Sequence, residues 1–298
     1  MSREARITAD TSGPFGVDRL LREAAAALGA AGVPTPQVDA ELLLAWATDT
    51  SRGAVQARAM TGGAIAADHV ERFRHAVARR VTREPLQHVT GEAHFRALTL
   101  AVGPGVFVPR PETESVVQFA IDALRATAVP EPIAVDLGTG SGAIAIAMDT
   151  EVPNALVVAV ERSADALPWT RRNVAQHGGT VRLVEGDLAD ALPELDGRVS
   201  VVVSNPPYVP DDAVPIDPEV RDHDPVMALY GGPDGLDAVR ALTETAWRLL
   251  VPGCLVVVEH AEQQGAGVRA VLAARGFRTP ETHVDLTGRD RTTTATRA

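Results

Sequence analysis

The apolar positions in the first third of the chain recur at helical spacing. Val17, Leu20, Leu21, Ala24, Ala27 and Leu28 fall on one face, the i, i+3, i+4, i+7 pattern of an amphipathic helix, and Gly29 and Gly32 follow where it should stop. Thr35-Pro36 supplies a cap and a first-turn proline for a second helix through Leu42, Leu43 and Trp46. A third helix carries Val70, Phe73 and Val77 up to Arg79-Arg80. These patterns predict a small helical bundle over residues 1–85, its first 13 or so residues a frayed leader without periodicity.

The pattern then changes twice. Glu84-Pro-Leu-Gln-His-Val-Thr-Gly-Glu92 reads as a link, and Phe95 to Val108 alternates apolar and polar around Gly103-Pro-Gly105, which predicts a short β-hairpin. Phe107-Val-Pro-Arg-Pro-Glu-Thr-Glu114 stops that strand, and a helix starting at Glu112 or Thr113 runs through Val116, Val117, Phe119 and Leu124. From Pro132 onward, strands alternate with helices. Apolar runs at Ile133–Val135, Leu156–Val160, Val181–Val184, Val199–Val203 and Leu255–Val258 have buried parallel-strand character. Helical stretches near 142–150, 163–176, 235–250 and 263–275 separate them, and the tail from Phe277 through Val284, Leu286 and Thr292–Thr296 predicts a final hairpin. Such alternation belongs to a doubly wound α/β sheet, with ligands at the carboxyl ends of its strands. The expected domains are therefore 1–85 helical, 86–110 a linker with the hairpin, and 111–298 catalytic.

Composition narrows the classes. Apolar residues make up 45% and charged residues 22% of 298 residues, ordinary for a soluble globular protein. No apolar run reaches the roughly 18 residues of a membrane span, and the polar start MSREARITADTSGPFG lacks a signal-peptide core, so the cytoplasm is expected. Net charge is −11, which opposes broad binding to a phosphate backbone. All 28 basic residues are arginine, a compositional bias. The lone cysteine, Cys254, excludes an internal disulfide or a cysteine-rich zinc site and is expected to pack in the core. The histidines show no metal-ligand spacing, and His88 and His260 are expected to anchor structure. Trp46, Trp169 and Trp247 fit helix faces and are expected in the core.

Chemistry concentrates at strand ends. The first strand of the alternating region ends in Asp136-Leu-Gly-Thr-Gly-Ser-Gly142 before a helix. Glycines there permit a tight turn and a close backbone approach to a ligand. The spacing G-x-G-x-G is not that of dinucleotide binders, and Asp136 would oppose a pyrophosphate but suit a cation. S-adenosylmethionine, a sulfonium with an ammonium group, is such a cation. Glu161 at the second strand end is placed to take both ribose hydroxyls, and Asp187 at the third to accept from the adenine amino group.

The most specific feature follows the fourth strand: Asn205-Pro206-Pro207-Tyr208. Two prolines remove two N–H donors, stiffen the loop and leave carbonyls without strand partners. Asn205 and the Pro206 carbonyl can each accept one N–H of a planar NH2 group, while the Tyr208 ring lies on its flat face. An amide nitrogen is a poor nucleophile because its lone pair is delocalised; holding both N–H groups off-plane would restore it, so catalysis would rest on positioning. The acidic run Asp211, Asp212, Asp217, Asp222 and Asp224 is either a solvated loop or a lid over the site.

With these residues in hand, the chain resembles the peptide chain release factor N5-glutamine methyltransferases of the HemK/PrmC type over nearly all of residues 17–295. The resemblance rests on Arg83-Glu-Pro-Leu-Gln-His-Val-Thr-Gly91, Phe107–Glu114, Asp136–Gly142 and Asn205–Tyr208. It extends to Val220-Arg221, Asp224-Pro225, Ala228-Leu229, Glu259-His260, Gln263–Gly265 and Asp285–Asp290. It implies an α/β, class I (Rossmann-like) seven-stranded methyltransferase domain behind a small all-α domain that contacts the release factor. It also implies methylation of the glutamine in a Gly-Gly-Gln loop by S-adenosyl-L-methionine. Carried over by position, Gly138, Thr139, Gly140, Ser141, Gly142, Glu161, Asp187, Leu188 and Asn205 hold the cofactor, with Phe107, Arg110 and Thr113 lining its pocket. Asn205, Pro206, Pro207 and Tyr208 hold the glutamine, and Asn205, Pro206 and Tyr208 serve catalysis. Departures are His94-Phe-Arg-Ala97, where the family carries an acidic-Phe-aromatic-Gly run, and Leu188, where an aromatic often follows the acid.

The partner implied is a release factor, with no direct nucleic acid, no membrane and a monomeric enzyme. The four-residue amide motif is shared with adenine-N6 methyltransferases, so a ribosomal protein glutamine, adenine or guanine remains the alternative acceptor. A dinucleotide-dependent oxidoreductase is opposed by the glycine spacing and by Asn205–Tyr208, and a non-catalytic binding module by the intact motifs.

Overall fold

The computed structural model describes residues 15–298 apart from Gly178; the expected leader lies outside them. The chain divides into two compact units between Thr90 and Gly91.

The first unit contains β1 (Phe15–Gly16), α1 (Val17–Ala30), α2 (Pro36–Ala47), α3 (Arg52–Met60), β2 (Ala64–Ile65), α4 (Ala67–Val81) and α5 (Leu86–Thr90). Leu20, Leu28, Leu43, Val70 and Phe73 are in its core as the helical spacing set out, joined by Leu44, whereas Ala27 is exposed and Leu42 only partly buried. Helix α3 has no such stripe: Val55 is its one buried residue, and the Ser51 hydroxyl caps it by accepting from Ala54 N at 3.2 Å. The Thr35 side chain does not cap the backbone of α2. Instead its hydroxyl donates to Asp39 at 2.8 Å, and Asp39 is ion-paired inside the bundle to Arg80 at 2.8 Å.

The second unit opens with β3 (Glu92–Phe95) and β4 (Leu98–Ala101), then α6 (Thr113–Ala126), β5 (Ile133–Leu137), α7 (Ala143–Glu151), β6 (Leu156–Glu161), α8 (Leu167–Gln176) and β7 (Arg182–Glu185). It continues through β8 (Val199–Ser204), α9 (Pro218–His223), α10 (Val226–Leu229), α11 (Asp237–Leu249), β9 (Leu250–Glu259), α12 (Gly265–Arg275), β10 (Arg278–Val284) and β11 (Asp290–Thr296). The main sheet has the order β10-β11-β9-β8-β5-β6-β7. From β7 to β9 all neighbours are parallel, and the β10/β11 hairpin adds two antiparallel strands at one edge. The order in which strands are added reverses between β5 and β8, the switch point where such folds place ligands. Strand side chains alternate between two layers: Val201 and Val203 join one core with α6 and α7, and Val202 joins the other with α11 and α12. Each buried valine contributes about 1.5–3 kcal/mol by leaving water.

The first hairpin lies earlier than the alternation around Gly103-Pro-Gly105 indicates. Phe95 pairs with Leu98, so the turn is Arg96-Ala97. That register buries Ala93, Phe95, Leu98 and Leu100 together. Arg96 takes the left-handed conformation (φ 52°). Its guanidinium is clamped by Glu151 at 2.5 and 2.8 Å and by Gln118 at 2.8 Å. Arginine thus stands at the turn as a polar staple. Gly103 instead sits under the Trp169 ring, where a Cβ would come within 2.7 Å of it.

Cys254 is half-buried against the α11/α12 layer. The three tryptophans are partly buried rather than enclosed, because each covers the layer edge beside a polar neighbour. Arg72 lies over Trp46, Trp169 Nε1 donates to the Pro104 carbonyl, and Arg275 lies over Trp247. Among the described residues, no helix is long and apolar enough to cross a membrane.

Phe95 is fully enclosed and pins the hairpin to the second unit. Phe95→Ala should cost about 3–5 kcal/mol, read as a lowered denaturant midpoint for that unit with little change in slope.

Candidate active site

At the carboxyl edge of the sheet, the turn after β5 is made by glycines in positive-φ conformations: Gly138 (77°), Gly140 (56°) and Gly142 (88°). No atom lies within 4 Å of a Cβ built on Gly138 or Gly140, so those two leave open space for a ligand. Gly142 caps α7 and faces inward, where a Cβ would meet Ile146 at 3.1 Å and Thr170 at 3.2 Å. The loop is held from beneath. Gly138 and Thr139 N–H both donate to the Val160 carbonyl, at 2.9 and 3.0 Å. Thr170 Oγ1 donates to the Gly140 carbonyl at 2.6 Å. Asn173, fully buried in α8, donates to the carbonyls of Ser141 and Ala101 at 2.8 and 3.0 Å and accepts from Ala101 N at 2.7 Å. One amide therefore ties the glycine loop to the first hairpin.

Glu161 closes the loop from the side. Its two carboxylate oxygens accept from Gly140 N and from Ser163 N, both at 2.8 Å. Each keeps a further lone pair for a ligand hydroxyl. Asp187 accepts from Ala189 N at 3.0 Å and from Arg162 at 2.9 Å. The bonded Ala189 N–H, then the nearby Arg162, hold its carboxyl below the usual range.

Asp136 does not face the cavity. It is completely buried, and its Oδ2 accepts from Thr139 Oγ1 at 2.6 Å and from Ala145 N at 3.2 Å. Burial pushes its carboxyl up to about 7, against those two hydrogen bonds and aided by nearby Glu161. Asp136 is therefore a strut under the loop. The expectation of a charge offered to a cationic ligand is corrected, because the turn folds over the side chain.

Across the switch point, Ser204 Oγ donates to the Leu137 carbonyl at 2.6 Å and joins the end of β8 to the end of β5. Asn205-Pro-Pro-Tyr208 leaves the sheet beside it. Asn205 Nδ2 donates to Thr113 Oγ1 at a long 3.4 Å. The Tyr208 carbonyl accepts from Gln264 Nε2 at 2.9 Å. Gly231 and Gly235 pack on this segment so closely that a Cβ would come within 2.4 Å of the Pro207 carbonyl oxygen and 2.2 Å of the Tyr208 carbonyl oxygen. Burial, then the carboxyl of Glu259, drive the Tyr208 phenol well above its usual range, so it stays a neutral ring and donor.

A cavity of about 640 Å³ joins these parts. Phe107, Arg110, Thr113, Gly138, Thr139, Gly140, Ser141, Glu161, Asp187, Leu188, Asn205, Pro207 and Tyr208 all line it. Gly142 and Pro206 do not: the first is the helix cap, and the second is buried. The acidic segment is neither wholly solvated nor uniform. Asp211, Asp212 and Asp222 are exposed, and Asp217 caps α9 while lining the cavity with Val220. Asp224 is buried against the guanidinium of Arg110. Burial pushes the Asp224 carboxyl up to about 6 against the pull of that arginine.

The sequence reading gave no site role to Asn173, Ser204, Thr170 or the wall from Met227 to Gly232, of which only Ala228-Leu229 entered the resemblance. Their only signal is polar side chains on otherwise apolar faces and the paired Gly231-Gly232. His260 is structural: its ring nitrogens meet the Ala261 carbonyl and Thr293 Oγ1, both at 2.8 Å, and burial lowers its pKa. Among the described residues no cluster of His, Cys, Asp and Glu is arranged to hold a metal.

Residues 19–91 match the PrmC N-terminal domain family and residues 97–217 the methyltransferase small domain family. The chain is 53% identical to a release factor glutamine methyltransferase of Streptomyces coelicolor, over 94% of this chain and 98% of that one. The chain belongs to the release factor glutamine methyltransferase family. Another of that name, from Mycolicibacterium smegmatis, is 46% identical over 93% of this chain and 96% of its own. A 4-amino-L-phenylalanine/4-methylamino-L-phenylalanine methyltransferase of Streptomyces pristinaespiralis is 40% identical over 86% and 87%. The fold is also that of a T. thermophilus 16S rRNA methyltransferase solved with AdoMet and guanosine, with a TM-score of 0.52 at 20% identity over 70% of this chain and 50% of that one.

Asp136 offers a test of the buried strut. Its native pKa is raised, so its stabilising effect is full below the unfolded value near 4 and is lost as pH rises towards about 7. Asp136→Asn keeps an acceptor for Thr139 and Ala145 and removes the ionisation. The melting temperature of the variant minus that of the parent should grow from pH 4 to pH 8; a constant difference would exclude the strut's ionisation as the cause.

Proposed function

We propose that the protein transfers a methyl group from S-adenosyl-L-methionine to the side-chain amide nitrogen of the glutamine in the Gly-Gly-Gln loop of peptide chain release factors. The observation that carries this is the position of Asn205 and Tyr208 on the same cavity as the glycine loop and Glu161. The residues fit the cofactor: open Cβ positions at Gly138 and Gly140, a carboxylate at Glu161 with lone pairs to spare, and apolar walls from Ile144, Val160 and Leu188. When bound, S-adenosyl-L-methionine supplies an electrophilic methyl carried on a sulfonium. Glu161 would hold the ribose hydroxyls and Asp187 the adenine amino group, with Thr139, Ser141, Phe107, Arg110 and Thr113 completing the pocket.

Asn205 Oδ1 accepts one N–H of the incoming amide, the Tyr208 ring covers its face and Pro207 fixes the loop; the Pro206 carbonyl, outside the cavity lining, would take the other N–H only after turning towards it. Held this way, the amide would keep its lone pair directed at the transferred carbon; the N–C bond would form as the sulfur–methyl bond breaks to leave a neutral thioether, and one N–H proton would pass to water. The catalytic contribution is orientation. The helical first unit contacts the release factor. The enzyme works in the cytoplasm as a monomer, without direct nucleic-acid contact, in keeping with its net charge of −11.

The test is methyl transfer from labelled S-adenosyl-L-methionine to purified release factor. Label is expected on the Gly-Gly-Gln glutamine, with a loss of at least about 100-fold in Asn205→Ala. Label appearing only on ribosomal protein or nucleic acid would keep the chemistry and discard the partner. Label on free 4-amino-L-phenylalanine, with release factor unlabelled, would move the acceptor to an aromatic amine.

A further inference from the structure

Glu259 stands out among the groups around the cavity because it is fully buried and neither carboxyl oxygen makes a hydrogen bond of normal geometry. It ends β9, and its neighbour Val258 pairs with Ser204 of β8. Glu259 and Asn205 therefore leave adjacent parallel strands side by side. The same carboxyl feels the Thr113 hydroxyl and, more weakly, the Asn205 amide as donors. Thr113 is itself buried and is the residue that Asn205 Nδ2 contacts.

The Asn205 amide has two ends of nearly equal shape, one an acceptor and one a donor, and the Thr113 hydroxyl can donate or accept. Neither side chain decides which end of the amide faces the cavity. An ionised carboxylate only accepts, so it turns the Thr113 O–H and the Asn205 NH2 inward. We propose that Glu259 is a positioning residue which, through Thr113, orients Asn205 so that its Oδ1 faces the cavity to receive the substrate N–H. The inference rests on the reading of Asn205 as the acceptor for the substrate amide.

Glu259 does not line the cavity, so it acts on a bound substrate only through neighbours that do, Thr113 and Asn205 for orientation and Tyr208 by its charge. Besides Thr113 and Asn205, the groups facing it are Arg291 on β11, which favours the carboxylate, and Glu112, which opposes it. Tyr208 is the other titrating neighbour. Burial dominates and pushes the Glu259 carboxyl up to about 7. The orienting form, the carboxylate, is thus filled as pH rises through neutrality and emptied as pH falls.

The pH dependence of kcat/KM with release factor as acceptor tests this. The parent enzyme should gain activity through an ionisation near neutrality. Glu259→Gln should lose that ionisation and fall roughly 10- to 100-fold in kcat/KM, as expected when a reacting group is misaligned, while cofactor affinity measured by calorimetry stays within about twofold. The neutral glutamine resembles the protonated acid, and Glu259→Asp, which keeps a carboxyl, should retain an ionising limb at reduced rate. A Glu259→Gln enzyme that keeps both the limb and the rate overturns the positioning role while Asn205→Ala remains inactive. An active Asn205→Ala enzyme instead overturns the underlying reading of Asn205.

Discussion

The parallel pairing of β5 with β8 is the constraint on which the site depends. Asp136 stands opposite Val203, and the Ser204 hydroxyl bonds the Leu137 carbonyl at 2.6 Å. Two loops more than sixty residues apart in sequence therefore leave the sheet at the same point. One is a glycine turn with open backbone, the other a proline-stiffened segment ending in Tyr208. A hydrogen-bonded ladder fixes their separation, and neither loop needs to order itself around a ligand to find the other.

Much of this was legible in the chain. Period-2 and period-3.6 patterns marked most elements of both units, and strand-helix alternation placed Gly138, Glu161, Asp187 and Asn205 at strand ends on one sheet edge. What failed did so for local physical reasons. The first hairpin turns at Arg96 because burying Phe95 with Leu98 outweighs the turn preference of Gly103-Pro-Gly105. Helix α3 escaped notice because it buries only Val55. Asp136 was misplaced because a charged residue beside a glycine turn looks available in sequence, whereas the turn folds over it.

The residues hardest to foresee act on the backbone rather than on a ligand. Asn173, Thr170, Ser204 and Gln264 each bind carbonyls of the two site loops. A carbonyl that has left its strand in a buried place needs a donor, and these side chains provide one. Such partners lie dozens of residues from the carbonyls they serve, and, Gln264 apart, no local motif announces them. Glycines 231 and 235 belong to the same class, since their role is to let one backbone pass close to another.

Asn173 has a consequence for anyone recombining such enzymes. Because its amide spans Ala101 and Ser141, the glycine turn is not a portable cassette. Grafted into a relative whose α8 offers no matching amide, it would arrive with an unanswered carbonyl and a hairpin cut loose from it. A chimera that respects this architecture must exchange the hairpin, the turn and helix α8 as one block.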